Sequence, residues 1–209
     1  MRKHLTNFDL KLIAIITMTF DHMGFYLFPT CDWMRIIGRI SFPIFAFLCA
    51  ESFRYTKDKK VYALRMLVFG ILYTFIRMFV DPTSGGDIFL TLGLGFMMLW
   101  GLQEKQYVMT VCAFLIGVII PVDYYWYGLC MVPMMYYLKD YKLAMLLTMI
   151  GMNVLLVSFS NTHPMQYYSI ISLLFIWLYN NQVGCKKWKY LFYVYYPVHV
   201  VILAALAWL

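Results

Sequence analysis

Nine apolar stretches follow one another along the chain, separated by short polar segments that hold most of the lysines and arginines. They run over Leu10–Phe28, Ile36–Phe53, Val61–Val80, Ile88–Leu102, Tyr107–Ile120, Tyr124–Leu138, Leu143–Phe159, Gln166–Tyr179 and Tyr190–Leu209. A helix that crosses a bilayer needs about 20 mostly apolar residues, somewhat fewer where the membrane thins or the segment is buried in protein. A soluble domain carries about a quarter charged residues; here 63% of residues are hydrophobic and 13% charged. Lipid is the solvent that tolerates this balance, because a helix facing it needs no polar outer face. The predicted fold is therefore an all-α integral membrane protein, a polytopic bundle of about nine short transmembrane helices forming a single domain over residues 1–209. The fourth, fifth and sixth stretches are short enough to be half-spanning or re-entrant. The first is expected to be retained rather than cleaved, since it carries Asp21 and His22 and lacks a small-residue cleavage site.

Orientation follows from the basic residues, which accumulate on the cytoplasmic side of a span. With the N-terminus inside, alternate segments collect Arg2, Lys3 and Lys11; Arg54, Lys57, Lys59, Lys60 and Arg65; Lys105; Lys139 and Lys142; and Lys186, Lys187 and Lys189. Of the 17 basic residues, Arg35, Arg39 and Arg77 alone fall outside, so the N-terminus is expected in the cytoplasm and the C-terminus out. Turning one hairpin into a re-entrant loop preserves this parity. The same distribution explains the net charge of +7 without nucleic acid as a partner. Aromatic clusters such as Asp123–Tyr127 and Tyr136–Tyr137 read as headgroup-level anchors.

Five cysteines, Cys31, Cys49, Cys112, Cys130 and Cys185, stand singly, which argues against both a disulfide framework and a metal site. Serine-nucleophile, zinc-protease and phosphate-loop signatures are missing as well. What remains is a handful of ionisable groups inside apolar spans, each costly enough to need a partner or a function. In the first span these are Asp21 and His22, in its outer half; in the second, Arg39 lies at a similar depth. Neighbours on a helix point about 100° apart, so Asp21 and His22 should have different partners, with Asp21 facing Arg39 and His22 free to move a proton. A purely structural network of the same three residues is the alternative. Pro43 leaves the carbonyl of Arg39 without its helical donor, and Pro197 does the same near His199. Arg77, Asp81, Asp87, Asp123 and His163 are further outer-side polar groups, and Glu51 lies beside the inner basic loop.

The run Leu10-Lys-Leu-Ile-Ala-Ile-Ile-Thr-Met-Thr-Phe-Asp21-His22-Met-Gly24, followed by Arg35-Ile-Ile-Gly-Arg39-Ile-Ser-Phe-Pro43, resembles the opening of the TraX family. The likeness continues through Glu51-Ser-Phe-Arg-Tyr-Thr56, Tyr62-Ala-Leu-Arg65, Ile88-Phe-Leu-Thr-Leu-Gly-Leu-Gly95 and Phe192-Tyr-Val-Tyr-Tyr-Pro197-Val-His199, with Ser52 where the resemblance would place a glycine. The family's best-known activity is acetylation of a conjugative pilin's N-terminus, and it is similar to a wider group of transmembrane acyltransferases that use cytosolic acyl-CoA.

The resemblance implies a bacterial inner-membrane enzyme that moves an acyl group, most simply acetyl from acetyl-CoA, to an amine or hydroxyl of an acceptor peptide, glycan or lipid. It implies His22 as general base, Arg39 as the group facing the developing oxyanion, and Asp21 as their organiser. Glu51, Arg54, Lys59 and Arg65 would attend the CoA phosphates, and Arg77, Asp87 and His199 the acceptor; no metal is implied. A small proton-coupled transporter and a non-catalytic assembly factor for surface structures are the competing readings.

Overall fold

The structure is a computed structural model that describes residues 4–80, 86–120, 122–160, 162–185 and 191–207. Asp81, Arg2, Lys3, Lys186, Lys187, Lys189 and the outermost residues of the ninth stretch lie outside the described residues. Among the described residues the chain is helical, with one isolated bridge between Leu5 and Tyr179 and no strand. In order come α1 (Asn7–Tyr26), α2 (Asp32–Gly38), α3 (Ser41–Tyr55), α4 (Lys59–Val80), α5 (Ile88–Gln103), α6 (Tyr107–Ile119), α7 (Tyr125–Tyr137), α8 (Lys142–Phe159), a 3₁₀ helix (Pro164–Ile171), α9 (Ser172–Trp177) and α10 (Leu191–Ala207). By length and composition, three stretches are apolar enough to cross a membrane: Asp32–Tyr55, Lys59–Phe79 and Lys142–Phe159.

Two of the expected spans are not single α-helices. The second is divided into α2 and α3 by a tight turn at Arg39–Ile40, where Ile40 bonds back to Ile37 and Ser41 Oγ donates to the Gly38 carbonyl. Pro43 has no N–H to offer the Arg39 carbonyl, so this is where an α-helical ladder fails. The eighth begins as a 3₁₀ helix, whose three-residue turn stacks side chains at i, i+3 and i+6. That places Gln166, Ser169 and Ser172 in one line, all buried, and Ser169 Oγ donates to Asn153 Oδ1 on α8 at 3.1 Å.

The residues form two compact units, Met1–Leu48 with Lys142–Leu209, and Cys49–Tyr141. In the second, α5 is the central element, covered by α4, α6 and α7. Its core joins Leu90, Leu94, Met98, Ala113, Val122 and Leu129. Tyr127, expected as a surface anchor, is fully buried there. In the first unit α1 lies against α2 and α10, and the 3₁₀ helix lies against α2 and α8. The outward faces stay apolar: Leu64, Ile71, Phe75 and Phe79 recur at helical spacing on α4, each more than half exposed. Water does not favour such a stripe.

Candidate functional site

Helix α1 starts three residues earlier than the apolar run, at a capping box in which Thr6 and Asp9 exchange hydrogen bonds. The helix then carries Asp21 and His22 about 100° apart, toward different neighbours.

Asp21 faces α2. Its Oδ1 accepts from Arg39 Nη2 at 2.5 Å, and its Oδ2 lies 3.0 Å from Arg35 Nη1, which also donates to the Asp21 backbone carbonyl at 3.1 Å. Arg39 and Asp21 side chains are each 13% exposed, and Arg35 is 28% exposed and lies over the Phe25 ring. Two guanidiniums on one carboxylate leave the cluster with an excess positive charge. The helices meet this closely because of two glycines. A Cβ on Gly38 would collide with the Asp21 side chain, and one on Gly24 would press on Met34 Cβ and the Arg35 stem. Sequence reasoning paired Asp21 with Arg39 and left Arg35 at the edge of its span. The signal was the spacing, since Arg35 and Arg39 are one helical turn apart and share a face.

His22 faces α10. Its Nδ1 lies 2.6 Å from His199 Nε2, with the two rings stacked at 4.8 Å, and the rings of Tyr26 and Tyr196 lie beside it. Arg35 and Arg39 are within electrostatic reach. Three residues earlier, Thr19 Oγ1 lies 2.7 Å from the Tyr195 hydroxyl. The contacts advance together, from Thr19 to His22 and from Tyr195 to His199, so α1 and α10 run parallel. His199, expected against an acceptor, therefore sits on the imidazole of His22. Asp21, His22, Arg35, Arg39 and His199 make one cluster within the first unit.

Glu51, Arg54, Lys59, Arg65, Arg77 and Asp87 belong to the second unit and form separate groups. Glu51 is 1% exposed, and its Oε1 takes both Lys139 Nζ at 2.7 Å and Arg54 Nε at 3.2 Å. Arg54 also donates to the Tyr136 carbonyl and covers the Tyr136 ring, so its guanidinium is largely committed to the fold. Lys59 lies 3.8 Å from Glu104 and over the Phe53 ring, and Arg65 is part-buried on α4. Arg77 donates to the Gly86 carbonyl, and the next residue, Asp87, caps α5 by accepting from Leu90 N at 2.8 Å and from Thr74 Oγ1 at 3.4 Å. Among the described residues no cluster of three His, Cys, Asp or Glu side chains could hold a metal ion.

A chain that is helical among the described residues, with a part-buried carboxylate–guanidinium cluster beside a histidine pair, is the class these observations define. It belongs to the TraX family: the family model described as TraX protein matches residues 7–207. A probable fimbrial assembly protein, FimC of serogroup H1, from Dichelobacter nodosus is similar to it, 24% identical over 229 aligned residues that cover 95% of this chain and 94% of that protein. An uncharacterized protein of Rickettsia prowazekii (strain Madrid E) is 44% identical over 69 residues, 32% of this chain and 26% of the relative, so the match spans about a quarter of that protein. No solved structure matches the chain.

Proposed function

We propose that the protein is a membrane-embedded acyltransferase of the bacterial inner membrane that takes an acyl group, most simply acetyl, from cytosolic acyl-CoA. It passes that group to an amine or hydroxyl on an acceptor at or beyond the far face. The observation that carries this reading is the cluster of the first unit, where a histidine able to accept a proton lies beside two guanidiniums sharing one carboxylate. Acyl transfer from a thioester needs a base for the acceptor's proton and positive charge near the carbonyl oxygen as it becomes anionic. His22 supplies the first and the Arg35–Arg39 pair the second, with Asp21 fixing where that charge sits. Membership of the TraX family and similarity to a probable fimbrial assembly protein favour a pilus subunit as the acceptor, through its terminal amine.

Insertion in the membrane is supported by the exposed apolar faces of α4 and α8 and by the three long apolar stretches. The parallel course of α1 and α10 agrees with an odd number of crossings. The basic loop from Arg54 to Arg65 would meet the CoA phosphates at the cytoplasmic face, Lys59 being less committed than Arg54. The full-length protein in lipid nanodiscs is expected to consume acetyl-CoA, and His22→Ala to abolish turnover while keeping its helicity. Equal turnover in the variant removes His22 from the chemistry. Flux of protons or solute in liposomes with no thioester chemistry would establish the transporter reading instead.

A further inference from the structure

The hydrogens of the histidine pair follow from its partners. A backbone carbonyl can only accept, so in the 2.9 Å contact between His199 Nδ1 and the Tyr195 carbonyl the ring nitrogen carries the hydrogen. A neutral imidazole has one N–H, which leaves His199 Nε2 with a lone pair. Its neighbour at 2.6 Å, His22 Nδ1, must then be the donor. With both rings neutral, His22 is the Nδ1–H tautomer and its Nε2 keeps the free lone pair. Among the described residues no hydrogen bond occupies that nitrogen.

The arrangement is braced. The Tyr195 ring lies parallel to His199 at 4.9 Å, with 10° between the planes. Thr19 Oγ1 donates its one hydrogen to the Ile15 carbonyl at 2.8 Å, so the Tyr195 hydroxyl donates to Thr19. Tyr195 is thereby tied to α1 one turn before His22, and the carbonyl and ring that hold His199 come with it.

We propose that His199 is a positioning residue: through the chain from the Tyr195 carbonyl to His199 to His22, it fixes the tautomer and ring orientation that aim the Nε2 lone pair of His22 at the acceptor. This rests on the acyl-transfer reading for its consequence, although the tautomer is measurable without any turnover. In the step it serves, the acceptor nitrogen bonds to the acyl carbon and its proton goes to His22 Nε2. The carbon–sulfur bond then breaks, and the same proton passes to the leaving thiolate. The imidazolium formed in between holds His199 Nε2 through its Nδ1–H, so the hydrogen bond strengthens as charge develops.

Two measurements test it on the full chain in nanodiscs. With ¹⁵N-labelled histidine, the His22 resonances, assigned with His22→Ala, are expected to show a protonated Nδ1 and a bare Nε2; a protonated Nε2 in the neutral ring overturns the proposal. With acetyl-CoA and a short peptide bearing a free amino terminus, His199→Leu is expected to lose on the order of 10²- to 10⁴-fold in kcat at nearly unchanged KM. His199→Gln, whose amide oxygen can take the place of Nε2 as acceptor, should restore most of the loss. If His22 is required while His199→Leu turns over normally, His199 positions nothing. If the wild type transfers no acyl group, the acyl-transfer reading fails, and the nitrogen spectra still decide the hydrogen-bond chain.

Discussion

Removing the Asp21 carboxylate should unfold more than its own contacts. In Asp21→Ala, the guanidinium of Arg39, 13% exposed, loses its 2.5 Å partner, and Arg35 loses its 3.0 Å contact while keeping the Asp21 backbone carbonyl. Stranding a charge of this burial costs about 3–5 kcal/mol, because the guanidinium stays largely out of water after losing the carboxylate that balances it, keeping its Nε contact to the Arg35 carbonyl. Arg39→Ala leaves Asp21 still held by Arg35, so its cost falls at the lower end, about 3 kcal/mol. In the double variant the Asp21 carboxylate and the Arg39 guanidinium are both gone, so the two losses should overlap by about 2 kcal/mol or more. The assay is a double-mutant cycle on the purified chain in one fixed detergent, following loss of helicity with denaturant. Additivity within about 0.5 kcal/mol would refute the coupling. So would an Asp21→Asn variant as stable as the wild type, since it keeps the shape and removes only the charge.

Gly38→Ala should cost about 1–3 kcal/mol, because the added methyl group meets the Asp21 side chain, and crosslinking of the α1–α2 seam should register the displacement. Asp87→Ala should lose about 1 kcal/mol with the cap of α5 while Asp87→Asn stays near the wild type, both read from thermal unfolding. Gln166 is 1% exposed and among the described residues neither amide atom has a hydrogen-bond partner, so Gln166→Met should raise stability by about 1 kcal/mol. A loss of stability on that change would mean the amide is satisfied in solution.

The helices were legible because apolar runs and basic interruptions alternate so plainly, and α4 through α8 begin and end within about two residues of those runs. The misses have local causes. Thr6-Asn-Phe-Asp9 carries α1 past the apolar run by capping, a signal that hydropathy does not contain. Pro43 was read as a notch beside Arg39, and the structure widens it into a turn between two helices. The 3₁₀ helix was hidden because a three-residue period in Gln166, Ser169 and Ser172 looks like scattered polarity when an α-helical period is assumed.

The site was half legible for a related reason. Asp21, His22 and Arg39 stood out because charge inside apolar sequence is conspicuous. Arg35 stood only at the outer edge of its span, although its spacing to Arg39 puts it on the same carboxylate. His199 was visible as a polar interruption, but its partner lies 177 residues away and pairing at that range comes only from the fold. Asp87 was expected at an acceptor, and the structure shows it capping α5, the commoner use of an aspartate just before an apolar run.

One mass measurement tests the acyl-transfer chemistry at His22. The full-length protein in nanodiscs is incubated with acetyl-CoA carrying a deuterium-labelled acetyl group and a peptide with a free amino terminus. The peptide is expected to gain one labelled acetyl group on its terminal nitrogen with the wild type and none with His22→Ala. An equal gain in both, or acetyl-CoA left intact by wild-type protein that is folded and binds it, would rule out acyl transfer through His22.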